Sequence, residues 1–574
     1  MRPTETLRTA QTLARPAAQV LDPAELGAAR YTRHSFARSF LRTAAAQRWR
    51  VVRETADLDD AGRGEIVYRV DIADRTLRFV AFSTTLTDGD RTDRVIATSW
   101  DVTAALIEGP LTAERLTELR RQVPRQERGR ADDGTLIWTR ANRSARFFEY
   151  VVDRLSCGLQ PDPDTIGESA YVLRSTAFYS NGKFGLADFD RLNTTHPLRL
   201  PYRAHMLTAW LLRELSYDLV EHCARVRNPL SATLDDQWRR YFGLGNATGL
   251  GMVPYVVNHP RVLDAWCAAR ELPLAHALSQ HTEPTDDRVR AAAALLSRAV
   301  RYFRDRAGAA TAPFVASADL ADDLETVEHL LTEYITHGTI AGAATDRAWE
   351  SLHSAAAALG TETRAVVDSV IVEVDHDLDL DIENLLYCEQ HSAAQPTQSC
   401  ATLLQTVRRD YDWALRTDFD DPDAQAYFWF SSENNEEPRR GRRGIDPGEH
   451  VEHPVDIARA VHGLYTDLRG FAGTRTVADF LVDFPWHRGT VARVQGLATV
   501  PYGEVRTNLL ARDFLPLNLQ RFQLAMYGME NYVPQSTDWL RVTLYSGAPR
   551  ASDVAAGTDD DWMFLPKPRK GFDA

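Results

Sequence analysis

The chain is poor in cysteine and has no long apolar run, and both absences argue against whole classes of protein. The five cysteines are widely spaced, with no Cys-x-x-Cys pair: Cys157, Cys223, Cys267, Cys388 and Cys400. This pattern is typical of reduced thiols and argues against a disulfide framework. No run approaches the roughly 18 apolar residues of a membrane span, and residues 1–21 lack the apolar core of a secretory signal. We therefore expect a soluble, cytoplasmic protein.

Lysine is almost absent from the chain. It occurs only at Lys183, Lys567 and Lys570, so 63 of the 66 basic residues are arginines. A coding bias is a sufficient cause on the surface, where either residue provides solubility. The two differ where an amine must lose its proton, because a guanidinium stays charged at any physiological pH. Lys183 is the only lysine outside the last eight residues.

The charge balance is acidic, with 66 basic and 80 acidic residues and a formal net charge of −14. Bulk electrostatics therefore argue against nucleic acid and against an anionic membrane as partners. The partner that we expect is a small anionic molecule, and the sequence leaves a homo-oligomer open. Apolar and charged fractions of 44% and 25% are globular averages, which excludes a fibrous or wholly disordered chain.

Hydrophobic periodicity predicts a mainly helical α+β fold, with a small antiparallel sheet near the N-terminus and a large helical body. Four early runs read as strands of a meander: 65–72, 76–84, 94–100 and 135–139. Helical periods then dominate, beginning with residues 141–157 and including 202–227 and 317–337. Two late strand-like runs, 426–431 and 539–545, are candidates to complete the sheet.

We divide the chain into four parts. Residues 1–30 are expected to be a loosely ordered N-terminal arm, and residues 31–140 an α+β region that contains the meander. Residues 141–425 form the helical body. Residues 426–574 form a C-terminal helical region with a long polar loop and the late strands.

A glycine-rich segment at residues 243–254 follows a run that reads as a helix. Such a segment can turn several backbone N–H groups toward one anion, and Asn246 and Thr248 add polar side chains. The alternative is a helix C-cap and a tight crossing, where glycine only provides room. The context and spacing do not fit a dinucleotide loop. Gly245, Asn246 and Thr248 are our candidate substrate-binding residues here.

Asn258 and His259 precede Pro260 and a predicted helix. Asn258 can cap that helix and leave the His259 ring at its N-terminus, where a neutral imidazole is favoured. A simple cap explains the pair without any function. As the functional alternative, we keep His259 as a catalytic candidate and Asn258 as a substrate-binding candidate.

Lys183 follows Asn181 and Gly182 in a predicted turn. A turn lysine is ordinarily a solvated surface residue, but arginine fills that role elsewhere in this chain. The amine can act as a general base, form a Schiff base or hold an anion as a point charge. We predict that Lys183 is catalytic, that Asn181 binds substrate, and that Lys183 shares a pocket with Asn246 and Thr248.

Two further segments contribute candidates. Arg143 and Arg146 lie one turn apart at the start of the helix predicted at residues 141–157, where cations oppose the macrodipole unless an anion is present, and Arg140 and Arg143 are our substrate-binding candidates here. That anion is either a substrate or one of the protein's own carboxylates. The charged stretch at residues 431–453 is either a solvated loop or a lid that brings Glu433 as a catalytic residue and Arg439 as a substrate ligand.

Metal-binding patterns are present but weak. Four residues in one predicted helix are spaced four apart on one stripe: Glu325, His329, Glu333 and His337. Alternate carboxylates at residues 375–383 lack the glycine and spacing of an EF-hand. Solvated helix faces explain both patterns. No metal ligand is assigned, and the cofactor is left unknown.

The candidates together favour a soluble intracellular enzyme that acts on a small phosphate- or carboxylate-bearing metabolite through a lysine amine. The reaction type is open, with a cofactor-independent lyase or transferase as the working guess. One alternative is a non-catalytic ligand-binding or assembly protein, in which the glycines serve packing. A second is a metal-dependent oxygenase with carboxylate and histidine ligands on helices.

Overall fold

A computed structural model provides the structure of the chain. It describes residues 3–91, 99–125, 132, 134–168, 170–175, 192–193, 195–200, 202–249, 260–306, 317–340, 342, 345–380, 382, 385–386, 395–421, 426–430, 438–442, 454–471, 474–497, 499–504, 516–534, 539–558 and 562–569.

A nine-stranded mixed sheet organises these residues, in the strand order β1-β2-β3-β4-β5-β6-β7-β11-β10. Its strands are β1 (Arg50–Leu58), β2 (Gly64–Ile72), β3 (Arg75–Ser83), β4 (Val102–Glu108), β5 (Thr135–Arg143), β6 (Tyr171–Ser175), β7 (Gly243–Gly249), β10 (Met529–Pro534) and β11 (Trp539–Leu544). Among the strands described, β6 and β7 form a parallel pair and the other neighbours are antiparallel.

The small N-terminal sheet predicted from the sequence is therefore wrong. The sheet is mixed and draws strands from residues 50 to 544, although helix does exceed strand, at 54% against 15%. Period-two alternation identified β2 and β3, but it carries no information on which distant strand is the neighbour. Most of the run predicted at 94–100 lies outside the described residues.

The two late runs that were predicted as strands lie in different sheets. The run at 539–545 joins the large sheet as β11, between β7 and β10. The run at 426–431 forms β8 (Ala426–Phe430), which pairs with β9 (Pro438–Arg442) in a separate two-stranded ribbon. The expectation that both complete the sheet is thus confirmed for the first and wrong for the second.

Strand β7 replaces the loop predicted for the glycine-rich segment. A Cβ atom on Gly245 would lie 2.3 Å from the ring of Tyr171 on β6, and one on Gly243 would lie 2.5 Å from the Leu544 carbonyl oxygen on β11. Both glycines allow backbone and ring to approach more closely than any side chain permits. The glycine content of this segment suggested a loop. The physical reason for the glycines is instead the close approach of the two neighbouring strands.

Helices cover both faces of the sheet. The N-terminal and sheet-packing helices are α1 (Pro3–Leu13), α2 (Ala17–Val20), α3 (Pro23–Leu26), α4 (Phe36–Ala46), α5 (Ala113–Gln122), α6 (Phe148–Ser156), α7 (Pro163–Ile166), α8 (Arg203–Arg227) and α9 (Asp236–Tyr241). Helix α8 is buried along most of its length and packs on β5, β6 and β7. Helix α5 covers the opposite face, where Leu119 joins Val80 and Ile107 in a smaller core.

The remaining helices form the body and a second core. They are α10 (Pro260–Ser279), α11 (Asp287–Arg304), α12 (Ser317–His337), α13 (Ala348–Leu359), α14 (Thr361–Val374), α15 (Cys400–Asp410), α16 (Asp412–Leu415), α17 (Pro454–Gly470), α18 (Val477–Asp483), α19 (Arg488–Gly496), α20 (Pro516–Tyr527) and α21 (Ala551–Ala556), with a 3-10 turn at Pro485–His487. The main core includes side chains from Leu21 to Phe564. Helices α15 to α19 pack around their own core. The predicted domain boundaries stay predictions.

The helix predicted at residues 141–157 begins later than expected. Strand β5 continues through Arg143, and α6 starts at Phe148. The Asp101 carboxylate, which is fully buried, accepts a hydrogen bond from the Arg143 backbone N–H at 2.8 Å, and the Asn142 side chain accepts one from the Asp101 N–H at 2.9 Å. These bonds hold residues 142 and 143 extended, so Arg140 and Arg143 lie on a strand and not on a helix.

Within the described ranges, no helix combines the length and the apolar character that crossing a membrane requires.

The close approach at β7 predicts the effect of a single methyl group. Gly245→Ala should lower the free energy of unfolding by about 1–3 kcal/mol, because the Tyr171 ring must move to admit the Cβ atom. Gly360→Ala is the matched control, since a Cβ atom there meets nothing within 4 Å. Denaturant unfolding followed by circular dichroism measures both. Equal stability of Gly245→Ala and the wild type would contradict this account of β7.

Candidate functional site

The carboxyl ends of β6 and β7 point to the same edge of the sheet, because these two strands run parallel. Arg174 is level with Gly245, so β7 extends about three residues beyond the end of β6. Strand β6 ends at Ser175 and β7 ends at Gly249. The segment that carries Asn181 and Lys183 begins directly after β6. Parallel strand ends in mixed and open sheets are where ligand crevices form.

The segment that carries Asn258 and His259 begins directly after β7 and precedes α10. These two residues, together with Asn181, Lys183 and Glu433, lie outside the described residues. The described strands thus bring the starting points of two predicted site segments to one edge of the sheet. The roles assigned to these five residues stay predictions.

Arg140 lies at this same edge, on β5. The Ser175 hydroxyl, at the end of β6, donates to the Arg140 carbonyl oxygen at 2.8 Å. The Arg140 guanidinium lies 4.3 Å from the centre of the Trp100 ring, a cation–π contact that orients the charge. Arg140 is therefore positioned beside the end of the parallel pair.

Arg143 faces the opposite side of β5 and is buried. Its guanidinium Nη2 donates to the Gly62 carbonyl oxygen at 3.2 Å, and the group lies 4.6 Å from the centre of the Phe148 ring. The partners seen for Arg143 are thus the protein's own carbonyl and aromatic groups. This arrangement fits a role in holding β5 against α6 and the β1–β2 turn.

Asn246 is the unusual side chain of β7. It is 3% exposed and shares a face with Leu244, next to Val542 of β11, in the main apolar core. No donor in the described part of the chain reaches its Oδ1 atom. A buried amide oxygen without a hydrogen bond lowers the free energy of unfolding by roughly 1–3 kcal/mol, so Asn246 is expected to destabilise the fold.

The other predicted binding residues on strands are placed only by their backbones. Thr248 pairs with Leu540, two residues beyond Asn246 and close to the carboxyl end of β7. Arg439 lies opposite Trp429 in the β8–β9 ribbon, which is not part of the nine-stranded sheet. The described structure therefore places Gly245, Asn246 and Thr248 on one strand near Arg140, but with the Arg140 and Asn246 side chains on opposite faces of the sheet. Arg439 lies on a separate element.

Two arginines that the sequence reasoning missed lie at the same edge. Arg174 of β6 lies opposite Gly245 of β7 and Asn142 of β5. On β5, Arg140 is two residues from Asn142. On β11, Thr543 lies opposite Gly245, and Arg541 is two residues from Thr543. Because alternate residues of a strand share a face, all three arginines lie on one side of the sheet.

We call Arg140, Arg174 and Arg541 the arginine face. Neighbouring strands are about 4.8 Å apart and Arg541 lies two residues along the sheet from the level of Arg174, so the two arginines flank β7 at about 12 Å from backbone to backbone. Gly245 carries no side chain beside Arg174, but the Tyr171 ring fills that space, and the β7 residue opposite Arg541 is Ala247. The arginine face therefore places three guanidinium-bearing residues beside the ends of β6 and β7. Arginine in a strand-like run was the available signal, but only the strand order groups the three.

The metal patterns lie on solvated or arginine-paired surfaces. In α12, Glu325, His329 and His337 are exposed, and Glu325 pairs with Arg304. Asp375 and Asp377 both accept from Arg288, at 3.0 and 2.7 Å. Among the residues that the structure describes, no three His, Cys, Asp or Glu side chains are grouped as a metal site requires.

Comparisons of the chain with protein-family models, curated proteins and solved structures find no match. A function therefore has to be inferred from the geometry.

The cost of burying Asn246 can be measured. Asn246→Leu replaces an unsatisfied amide by an apolar group of similar size, so the free energy of unfolding should rise by about 1 kcal/mol. Val542→Ala, directly across on β11, is the contrasting control and should lose about 2 kcal/mol or more through a cavity. Calorimetric or denaturant unfolding distinguishes them. A destabilised Asn246→Leu variant would show that the amide is satisfied in solution and serves the fold.

Proposed function

We propose that the protein is an enzyme that binds a small phosphate- or carboxylate-bearing metabolite at the carboxyl edge of β6 and β7. The observation that carries this proposal is the parallel pairing of these strands, because the segments bearing Lys183 and His259 leave the sheet from adjacent ends. A lyase or transferase that needs no nucleotide fingerprint remains the working reaction class.

The arginine face supplies the electrostatic part of the proposal. Guanidinium groups bind carboxylates and phosphates through charge-assisted hydrogen bonds, often in pairs. Arg140 is held against Trp100, so its charge is oriented before any ligand arrives. In an acidic protein with a net charge of −14, such a local concentration is the feature that would attract an anion.

Lys183 supplies the chemical part. An amine can lose its proton and attack or deprotonate a substrate, whereas arginine cannot. Lys567, by contrast, has an evident structural role, since its Nζ atom lies 2.5 Å from Glu168. The buried amide of Asn246 faces the other side of β7, toward the apolar core, so the proposal does not depend on it.

A cytoplasmic location accompanies this proposal. It is supported by the cysteines that the structure describes, Cys157, Cys223, Cys267 and Cys400, all of which are free thiols.

The strongest rival is a non-catalytic ligand-binding or assembly protein. It is favoured by the fit of Gly243 and Gly245 against neighbouring strands, which accounts for those glycines by packing alone. Thermal-shift screening with phosphorylated and carboxylated metabolites discriminates between the two. Stabilisation by one class of anion supports the anion site, and no stabilisation by any anion supports an assembly role.

The second alternative, a metal-dependent oxygenase, is tested by elemental analysis of the purified protein. Stoichiometric iron, manganese or copper would favour it over the lysine-based proposal.

A phosphate-bearing aldehyde tests Lys183 without knowledge of the substrate. Pyridoxal 5′-phosphate forms an imine with an accessible amine and releases water, and borohydride reduces that imine to a stable secondary amine. We expect about one adduct per chain at Lys183, and we expect inorganic phosphate to suppress it. Lys183→Arg should abolish the adduct, whereas Lys567→Arg should leave it unchanged.

Peptide mapping by mass spectrometry provides the readout for this labelling. Equal labelling of Lys183, Lys567 and Lys570, with no protection by phosphate, would show that Lys183 is an ordinary surface residue. Circular dichroism of Lys183→Arg checks that the fold is intact, so that a loss of labelling reports the amine alone.

A further inference from the structure

A second site lies away from the sheet edge, in a cavity of about 40 Å³ between the N-terminal helices, α10 and α14. Six charged side chains line it: Arg15, Glu25, Arg270, Glu271, Arg364 and Asp368. Their arrangement was not apparent from the sequence, because they come from four separate stretches of the chain.

Each carboxylate of this cavity already has a cationic partner. Arg15 donates to both oxygens of Glu271 at 2.7 Å, and Arg364 pairs with Glu25. The third carboxylate, Asp368, lies 2.6 Å from Nδ1 of His353. The negative charges of the cavity are thus neutralised pair by pair.

The pKa shifts of the Asp368 pair agree with its geometry. Burial by itself would lower the pKa of His353, but the hydrogen bond and charge of Asp368 raise it overall. Burial by itself would raise the pKa of Asp368, but the hydrogen bond and charge of His353, with Arg15, lower it overall. Both directions favour the ion pair.

Arg270 is the one arginine of the cavity lining that forms no ion pair with the carboxylates described above. It is 5% exposed, and its guanidinium donates to two backbone carbonyl oxygens, Arg30 at 3.0 Å and Ala365 at 3.4 Å. Within the described residues no carboxylate forms an ion pair with it. Burial lowers the pKa of Arg270, and the more distant charges of Glu271 and Asp368 offset this effect only in part.

A second donor lies one helical turn before Arg270. The indole N–H of Trp266 is buried and meets no acceptor in the described part of the chain. The Arg270 guanidinium lies 5.9 Å from the centre of the Trp266 ring. Trp266 and Arg270 both line the cavity, and among the described residues the first has no acceptor for its N–H and the second has no carboxylate in ion-pair contact.

From this geometry we propose that the cavity binds a small monovalent anion, a halide or a carboxylate, with Arg270 as its counterion and the Trp266 indole as a neighbouring donor. A buried charge without an ion-pair partner is destabilising, and an anion at this position removes that cost. The six lining side chains are three arginines and three carboxylates, and the protonated His353 beside Asp368 is the fourth cation, so one positive charge is in surplus and calls for one negative charge.

The size of the cavity limits the ligand. One water needs roughly 10–15 Å³ measured in this way, so 40 Å³ holds about three. Chloride, bromide, formate and the carboxylate end of acetate fit this space, whereas a sugar phosphate or a nucleotide does not. This site is thus independent of the metabolite site proposed at the sheet edge.

Chloride-35 NMR of the full chain tests the proposal, because bound chloride broadens the free signal in fast exchange. We expect excess broadening in the wild type that formate or bromide displaces at constant ionic strength. Arg270→Met should abolish the displaceable broadening. Glu25→Gln, which frees Arg364 from its carboxylate, should instead increase chloride affinity by roughly tenfold.

Two results would overturn the proposal. One is displaceable broadening that is the same in the wild type, Arg270→Met and Glu25→Gln. The other is a crystal soaked in sodium bromide with no anomalous peak beside Arg270. If Arg270→Met fails to fold, the wild-type displacement, the Glu25→Gln shift and the bromide peak still decide the question.

Discussion

The fold depends on the insertion of β7 between β6 and β11. Strands β1 to β6 come from the first third of the chain and β10 and β11 from its end, and β7 is the strand that joins them into one sheet. This insertion requires a backbone almost free of side chains on one face. The Tyr171 ring occupies the position where a Cβ atom of residue 245 would be. Glycine at these positions is therefore a packing requirement.

The same insertion determines where chemistry can occur. Because β7 runs parallel to β6, the chain leaves both strands at one edge, and the segments that carry Lys183 and His259 start there. The register across β5, β6, β7 and β11 also brings the three residues of the arginine face onto one side. A small-residue strand flanked by cations thus links the packing of the sheet to the proposed anion site.

How much could be predicted from the sequence depends on whether the signal is local. Helix α12 has the bounds that its period predicts, Ser317–His337, and α8 differs from its predicted start by one residue. Strand β7 was missed because glycine carries no periodic signal, and the end of β5 was missed because the buried carboxylate of Asp101, the residue just before β4, fixes it. The Arg270 cavity has no local signal at all, since its partners come from α3, α14 and the linker after α1.

The most direct test of the account is where the amine of Lys183 lies in solution. In a Lys567→Arg, Lys570→Arg variant, Lys183 is the only lysine side chain, so a short cross-linker with an amine-reactive ester and a photoactivated diazirine starts from that side chain and otherwise only from the N-terminal amine. The account predicts insertion into β7, the start of α10 and the arginine face when the products are mapped by mass spectrometry. Insertion confined to other surfaces of the protein, with none at residues 140–146 or 245–261, would contradict it.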